Sequence, residues 1–326
     1  GSINYRIEKA RLARYALTLS GRLSPGDAEK DQRLLDQITA LERDYLTKTE
    51  ALERLHKQAG QEVLFLTVST GRSVRLSLDQ VLAVSRPNGM HWGEKLLAYV
   101  QSLWLFVSTE PREANTEGGI FPAIFGTVLM VFLMTLAVMP FGVMAAVYLR
   151  EYANQGLLVR LVRIAVNNLA GVPSIVFGVF GLAFFVYALG GTIDQWLFPE
   201  ALPNPTFGTG GILWASLTLL TVPVVIVATE EGLSAVPRDF REGSLGLGAT
   251  KFETLRHVIL PCALPGILTG LILAMARAAG EVAPLMLTGV VKLAPALPLD
   301  EYLPFLHLDR KFMHLGFHIY DVGFQS

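Results

Sequence analysis

Apolar and polar positions divide this chain into two unequal parts. Up to about residue 118 charges are scattered among short apolar stretches, and beyond it long apolar runs dominate. In the first part Leu34, Ile38, Leu41, Tyr45, Leu52 and Leu55 recur at helical spacing with charges between them. That pattern predicts an amphipathic helix of roughly two dozen residues, one arm of a helical hairpin. The stretch EVLFLTVSTGRSVRLSL (62–78) alternates and breaks at Ser69-Thr70-Gly71, which predicts a β-hairpin. Leu96 to Thr109 is uncharged but only 14 residues long. A bilayer crossing needs about 20 apolar residues, so this run reads as an interfacial or core helix.

Four later runs are long enough to cross, at about 120–149, 164–193, 210–229 and 261–291. The first two carry no charge, and the fourth is interrupted only by Arg277 and Glu281. Pro140, Pro173, Pro223 and Pro265 fall inside these runs, where neighbouring helices can satisfy the backbone groups a proline frees. Basic residues set the orientation. Arg150, Arg160 and Arg163 follow the first run, and Arg238, Arg241, Lys251 and Arg256 follow the third, whereas residues 194–208 contain Asp194 and Glu200 and no Lys or Arg. The first and third connections are therefore expected in the cytoplasm. By alternation residues 1–118 and the tail after 291 are expected outside.

Composition agrees with a polytopic membrane protein: 52% of the 326 residues are hydrophobic and 17% charged. The net charge of -1, without a basic patch interleaved with aromatics, gives no sign of nucleic-acid binding. Cys262 is the single cysteine and the six histidines lack metal-ligand spacing, so no disulfide framework, metal site or cofactor is expected. The chain opens on Gly1-Ser2 with neither an initiator Met nor a signal peptide, and it reads as a piece of a longer protein.

The third connection, 230–261, is long, has helical content and a Gly-rich middle. Gly243, Gly246 and Gly248 invite comparison with a phosphate cradle, but no GxxxxGK[ST] spacing is present and no strand precedes it. A short helix pair that docks on a soluble partner accounts for it better, with glycine allowing the sharp turn.

Glu242, Gly243, Ser244, Gly248, Val258, Leu260 and Pro261 fall at the positions of the EAA signature of ABC importer permeases: Glu, two small residues, three variable, Gly, nine variable, then an aliphatic residue, one variable, Leu and Pro. Gly-Ser stands in place of Ala-Ala, and Val258 in place of the usual Ile. Together with NTEGG (115–119), VPSIVFG (172–178) and ARAAGEVAPL (276–285), in order, the chain resembles the PstA family of phosphate-transport permeases from about residue 111 onward. The resemblance implies an all-α polytopic permease with a MetI-like core (111–326) in the bacterial inner membrane, and a small extracytoplasmic α+β domain at 1–110. It implies a second permease, ATPase subunits that receive the coupling loop (with Arg241 beside its signature), and an extracytoplasmic phosphate-binding protein as partners. It also implies one span before and one after the sequence. ATP hydrolysis would belong to a partner, so the chain is not expected to be an enzyme. The rival readings are a permease for another oxyanion, sulfate or molybdate, and a non-transport membrane subunit.

Arg277 and Glu281 remain the unusual pair. A charge at mid-bilayer costs about 2.5–3.5 kcal/mol on insertion scales, so both should face protein or water. At i,i+4 they share one helix face, although Arg before Glu is the weaker order. Two roles stay open: an ion pair that locks helices, or part of an anion path in which Arg meets phosphate oxygens. In the same run Gly266, Gly270 and Ala274 have the small-xxx-small spacing that lets a second helix approach closely.

Overall fold

The computed structural model describes residues 2–19, 25–67, 71–78, 81, 87–112, 118–169, 171–219 and 222–324. The chain divides into two units, Gly1–Trp104 with Pro199–Leu202, and Leu105–Phe198 with Pro203–Ser326.

In the first unit α1 (Ser2–Leu19) and α2 (Pro25–Gln61) pack as a helical hairpin. Ile7 and Ala10 of α1 meet Ile38 and Leu41 of α2, with Leu34 beside them. Arg11–Glu42 (2.8 Å) and Arg14–Asp31 (2.7 Å) tie the two arms together. Only part of the expected apolar stripe is used: Tyr45, Leu52 and Leu55 are exposed, because α1 is 18 residues long against 37 for α2. The hairpin of strands comes next as β1 (Val63–Thr67) and β2 (Ser73–Ser77), antiparallel with Val63 opposite Ser77; Ser69 and Thr70 of its turn lie outside the described residues. The division between the units falls inside α3 (Trp92–Ser108), which buries none of its residues among the described ones and so is not a core helix there.

The second unit is built from apolar helices. The first, α4 (Phe121–Val147), continues through a π turn to Tyr152. The expected second run starts later than residue 164. Leu157–Leu169 forms a separate amphipathic helix, α5, and the crossing helix begins with α6 (Ser174–Gly181), widens through a π segment (Leu182–Gly190) and ends as α7 (Gly191–Leu197). Pro173 is the cause: proline cannot donate to a preceding turn and disfavours helical geometry at Val172. The third run is likewise not one straight helix. It consists of α8 (Ile212–Thr218) and α9 (Val222–Ala235), whose directions differ by 51°, and α9 extends six residues past the expected end at 229. By length and composition three helices of the described residues can cross a membrane, and four if this bent pair counts as one.

The connection to the fourth run is α10 (Arg238–Gly246), after which α11 (Lys251–Thr254), a π turn (Leu255–Ile259) and α12 (Leu260–Gly280) form one 30-residue helix. The π turn lies just before Pro261. A proline ring clashes with the carbonyl four residues back, and the wider turn relieves the clash while Leu260 donates to Leu255 instead. The fourth run also stops short of residue 291. The helix ends at Gly280, Glu281 is extended (φ -80°, ψ 127°), and a short helix α13 (Ala283–Thr288) succeeds it. Pro284 in the first turn of α13 explains the break. The chain then loops to α14 (Leu315–Phe324).

The main core of this unit lies among α4, α8, α9, α12 and α13, around Met130, Met134, Ile212, Val225, Ala274 and Leu285. The small-residue spacing on α12 serves a direct contact. A Cβ at Gly266 would come within 2.8 Å of Gly232 Cα, and one at Gly270 would fall onto the Ala228 side chain. Gly266 and Gly270 thus pair with Gly232 and Ala228 along two antiparallel helices, as close packing in lipid requires.

Candidate functional site

The connection between α9 and α12 is more helical than loop. Val236-Pro237 interrupts α9, because Pro237 disfavours helix in the residue before it, and α10 starts directly afterwards. At the other end Gly248 takes φ +89°, a left-handed conformation that reverses the chain in few residues. Thr250 and Glu253 then form a reciprocal capping box that starts α11: the Thr250 amide donates to Glu253 Oε2 (2.7 Å), and the Glu253 amide to Thr250 Oγ1 (3.3 Å). The result is a projecting helix-turn-helix.

No residue of α10 is buried, and Phe240, Leu245, Leu247 and Phe252 are exposed on or beside it, Leu247 at 92%. Glu242 and Gly243 are exposed too, and nothing lies within 4 Å of a Cβ placed on Gly243 or Gly248. Among the signature positions on α10 and its turn these are open to a partner, and Pro261 is exposed as well. Ser244 and Arg241 instead turn inward. Ser244 Oγ and Thr254 Oγ1 share a hydrogen bond of 2.9 Å that joins α10 to α11. Arg241 Nη1 meets Glu151 Oε1 at 2.6 Å, and its Nη2 donates to the Leu233 carbonyl at 2.9 Å. One guanidinium thereby fastens α10 to the end of the first crossing helix and to the end of α9. Leu260 and Pro261 lie within the fourth helix, Leu260 against the cluster of Leu233, Val236, Leu255 and Ile259.

A second arginine braces the same end of the bundle. Arg163 of α5 donates to Glu230 Oε1 (3.0 Å), Gln155 Oε1 (3.0 Å) and the Leu149 carbonyl (3.3 Å). Glu230 therefore cross-links α9 to α5, whereas Asn167 and Asn168 are exposed. Sequence reading missed both Glu151 and Arg163 as members of this network. Glu151 and Arg241 are 90 positions apart, and no spacing rule links them. Arg150, Arg238 and Arg241 line a recess of about 350 Å³ beside Glu242.

Arg277 and Glu281 do meet, but not as two residues of one uninterrupted helix. Arg277 is in the last turn of α12, where a cation complements the carbonyl end of the helix dipole. Glu281 is the first residue beyond it, and Arg277 Nε lies 3.3 Å from Glu281 Oε1. The side chains retain 41% and 23% of their exposure, so this is a half-open pair beside a break in an apolar helix. Other elements flank one side of the break, since α13 packs against α6 and α8 and Val282 lies against Gly316, whereas Gly280 is exposed.

At the opposite end of the bundle Asp194 is fully buried and accepts from the amides of Phe207 (2.9 Å) and Gly208 (2.7 Å), fixing the loop before α8. The sequence presented it only as a loop charge. In the segment after α13, Asp300 faces Arg310 (2.6 Å) and His307 (3.0 Å). Burial raises its pKa, but the Tyr302 amide, Arg310 and His307 outweigh that and hold the carboxyl below the usual range.

Residues 138–296 match the family described as binding-protein-dependent transport system inner membrane component. The chain is 33% identical over 226 residues to the probable ABC transporter permease protein YqgI of Bacillus subtilis, covering 68% of this chain and 71% of that protein. It is 38% identical over 169 residues to the phosphate transport system permease protein PstA 1 of Mycobacterium tuberculosis (52% of this chain, 50% of that protein). With PstA of Yersinia pestis the identity is 36% over 189 residues (58% and 59%). The chain thus spans between half and three-fifths of the length of these two PstA relatives.

Proposed function

The chain belongs to the ABC transporter permeases, inner membrane components of binding-protein-dependent transport systems, and on that premise we propose that it is the PstA-type permease subunit of an ATP-driven phosphate importer. Members of this family are transport components rather than enzymes. The observation that carries the coupling part of the proposal is the projecting α10, exposed along its length and fastened to two crossing helices by Arg241. A partner that grips Glu242, Gly243 and the apolar residues around Leu247 would pull on the first and third runs together. The partners are ATPase subunits at α10, a second permease that completes the path, and a phosphate-binding protein on the other side. In this reading residues 1–118 lie outside the cell and the α10 side faces the cytoplasm.

The translocation path runs past the break at Gly280–Val282. Irregular backbone inside a membrane protein is tolerated where it is enclosed by protein or lines a water-filled cavity, and transporters build substrate sites at such breaks. Arg277 offers a guanidinium to phosphate oxygens there, while Glu281 keeps it oriented and limits how tightly an anion is held. Glu281→Gln in the full-length protein, assembled with its partners, should retain membrane abundance and lose at least about tenfold in phosphate uptake, with Arg277→Gln lower still. Uptake and abundance are measured together. Loss of the protein from the membrane would assign the pair to helix locking instead.

Gly248→Val should lower coupled uptake without unfolding the chain, since a β-branched residue at φ +89° is strained by roughly 1–2 kcal/mol but has open space around it. Phosphate must saturate transport in competition with sulfate and molybdate. Wild-type coupling in both Gly248→Val and Glu242→Ala would remove α10 from the mechanism.

A further inference from the structure

Among the described residues α3 is an apolar helix that buries none of its 17 positions. Trp92, Leu96 and Trp104 retain 90%, 66% and 69% of their exposure. At about 100° per residue Trp92, Leu96, Tyr99, Val100, Leu103 and Val107 form a continuous apolar arc, while Glu94, Lys95, Gln101, Ser102 and Ser108 fall on the other side, which also carries Ala98 and Leu105. The helix is about 25 Å long, which is too short to cross a bilayer. Backbone hydrogen bonds hold its C-terminal end in place. Ile120 donates to the Phe106 carbonyl (2.9 Å), Gly119 to Glu110 (3.1 Å) and Phe121 to Thr109 (3.2 Å). These bonds join the last turn of α3 and the residues after it to the first residues of α4, the helix that starts the crossing. A helix end held there is at the edge of the membrane.

Resting on the permease reading, we propose that α3 lies in the lipid-water boundary of the outer leaflet, its apolar arc sunk among acyl chains and its polar arc in water. Amphipathic helices bind this zone through buried apolar area, with Trp and Tyr preferred at headgroup depth. The charges nearest its start, Glu94 and Lys95, cancel, so the attachment is hydrophobic rather than electrostatic and does not require anionic lipid.

Site-directed spin labelling of the full-length protein, assembled with its partners in phosphatidylcholine liposomes, tests this. Cys262 is exposed and is replaced by Ser first. Nitroxides are then placed at Leu96→Cys, Val100→Cys and Leu103→Cys on the apolar arc, and at Glu94→Cys and Gln101→Cys on the polar arc. The control is Leu136→Cys, on the 64%-exposed surface of the first crossing helix. Apolar-arc labels should collide readily with oxygen and poorly with a water-soluble nickel chelate, and polar-arc labels the reverse. Low accessibility to both reagents on the apolar arc would show that another protein covers it and overturn the proposal, as would high nickel accessibility on both arcs. If the control also fails to report lipid, it is the membrane-spanning reading that falls.

Discussion

Replacing Arg241 by Ala should reduce coupled uptake by at least about tenfold while the chain still inserts in the membrane. Breaking a buried ion pair by removing one partner costs about 3–5 kcal/mol, because the other charge is left without compensation. Here the side chains keep 23% and 16% of their exposure, so the lower end of that range applies, about 3 kcal/mol. The loss falls on one contact: α10 buries none of its own residues, and its other side-chain tie is the Ser244–Thr254 hydrogen bond. Arg241→Lys should recover only part of the activity, since an ammonium lacks the fork that reaches Glu151 and the Leu233 carbonyl together. Glu151→Gln should act in the same direction as Arg241→Ala, and the double variant should be little worse than either single one. Full uptake with undiminished ATPase stimulation in Arg241→Ala would show that force reaches the bundle by another route.

The second large effect is expected from Gly270→Leu, which should prevent folding or cut membrane abundance severely. A Cβ there already falls onto Ala228, and a leucine adds three more carbons at the place where α9 and α12 touch. Overpacking in a core that can yield costs about 1–3 kcal/mol, but here the obstacle belongs to a second helix, which must move bodily. Gly266→Leu should behave alike, because its Cβ would meet Gly232 backbone. Gly280→Ala is the control: it lies on the same helix with nothing within 4 Å of an added Cβ. Thermal unfolding in detergent and abundance in the membrane measure both. Equal stability of Gly270→Leu and Gly280→Ala would mean that the two helices do not pack at this seam.

Much of the architecture was legible because lipid imposes simple rules. Long uncharged runs located the apolar helices, and alternation with a turn located the strand pair. The errors cluster at prolines and helix ends. Val172-Pro173, Pro284 and the bend between α8 and α9 cut runs that are continuous in hydropathy, since hydropathy measures solvent preference and is blind to a missing amide donor. The stripe on α2 was overextended for a different reason: it shows what a helix could bury, but not how long its partner is.

For the candidate site, the sequence by itself determined which residue types stand where. It supplied the coupling signature, the charged pair in an apolar run, and the small residues spaced for close approach. Tertiary structure decided their use. It turned Arg241 and Ser244 inward and left Glu242 and Gly243 outside, paired Arg163 with Glu230, and opened α12 after Gly280 so that Glu281 stands at a break rather than inside a helix. The physical reason is range. Solvent preference and backbone geometry act over a few neighbouring residues and can be read along the chain, whereas a guanidinium 90 positions from its carboxylate finds it only after the helices between them have packed.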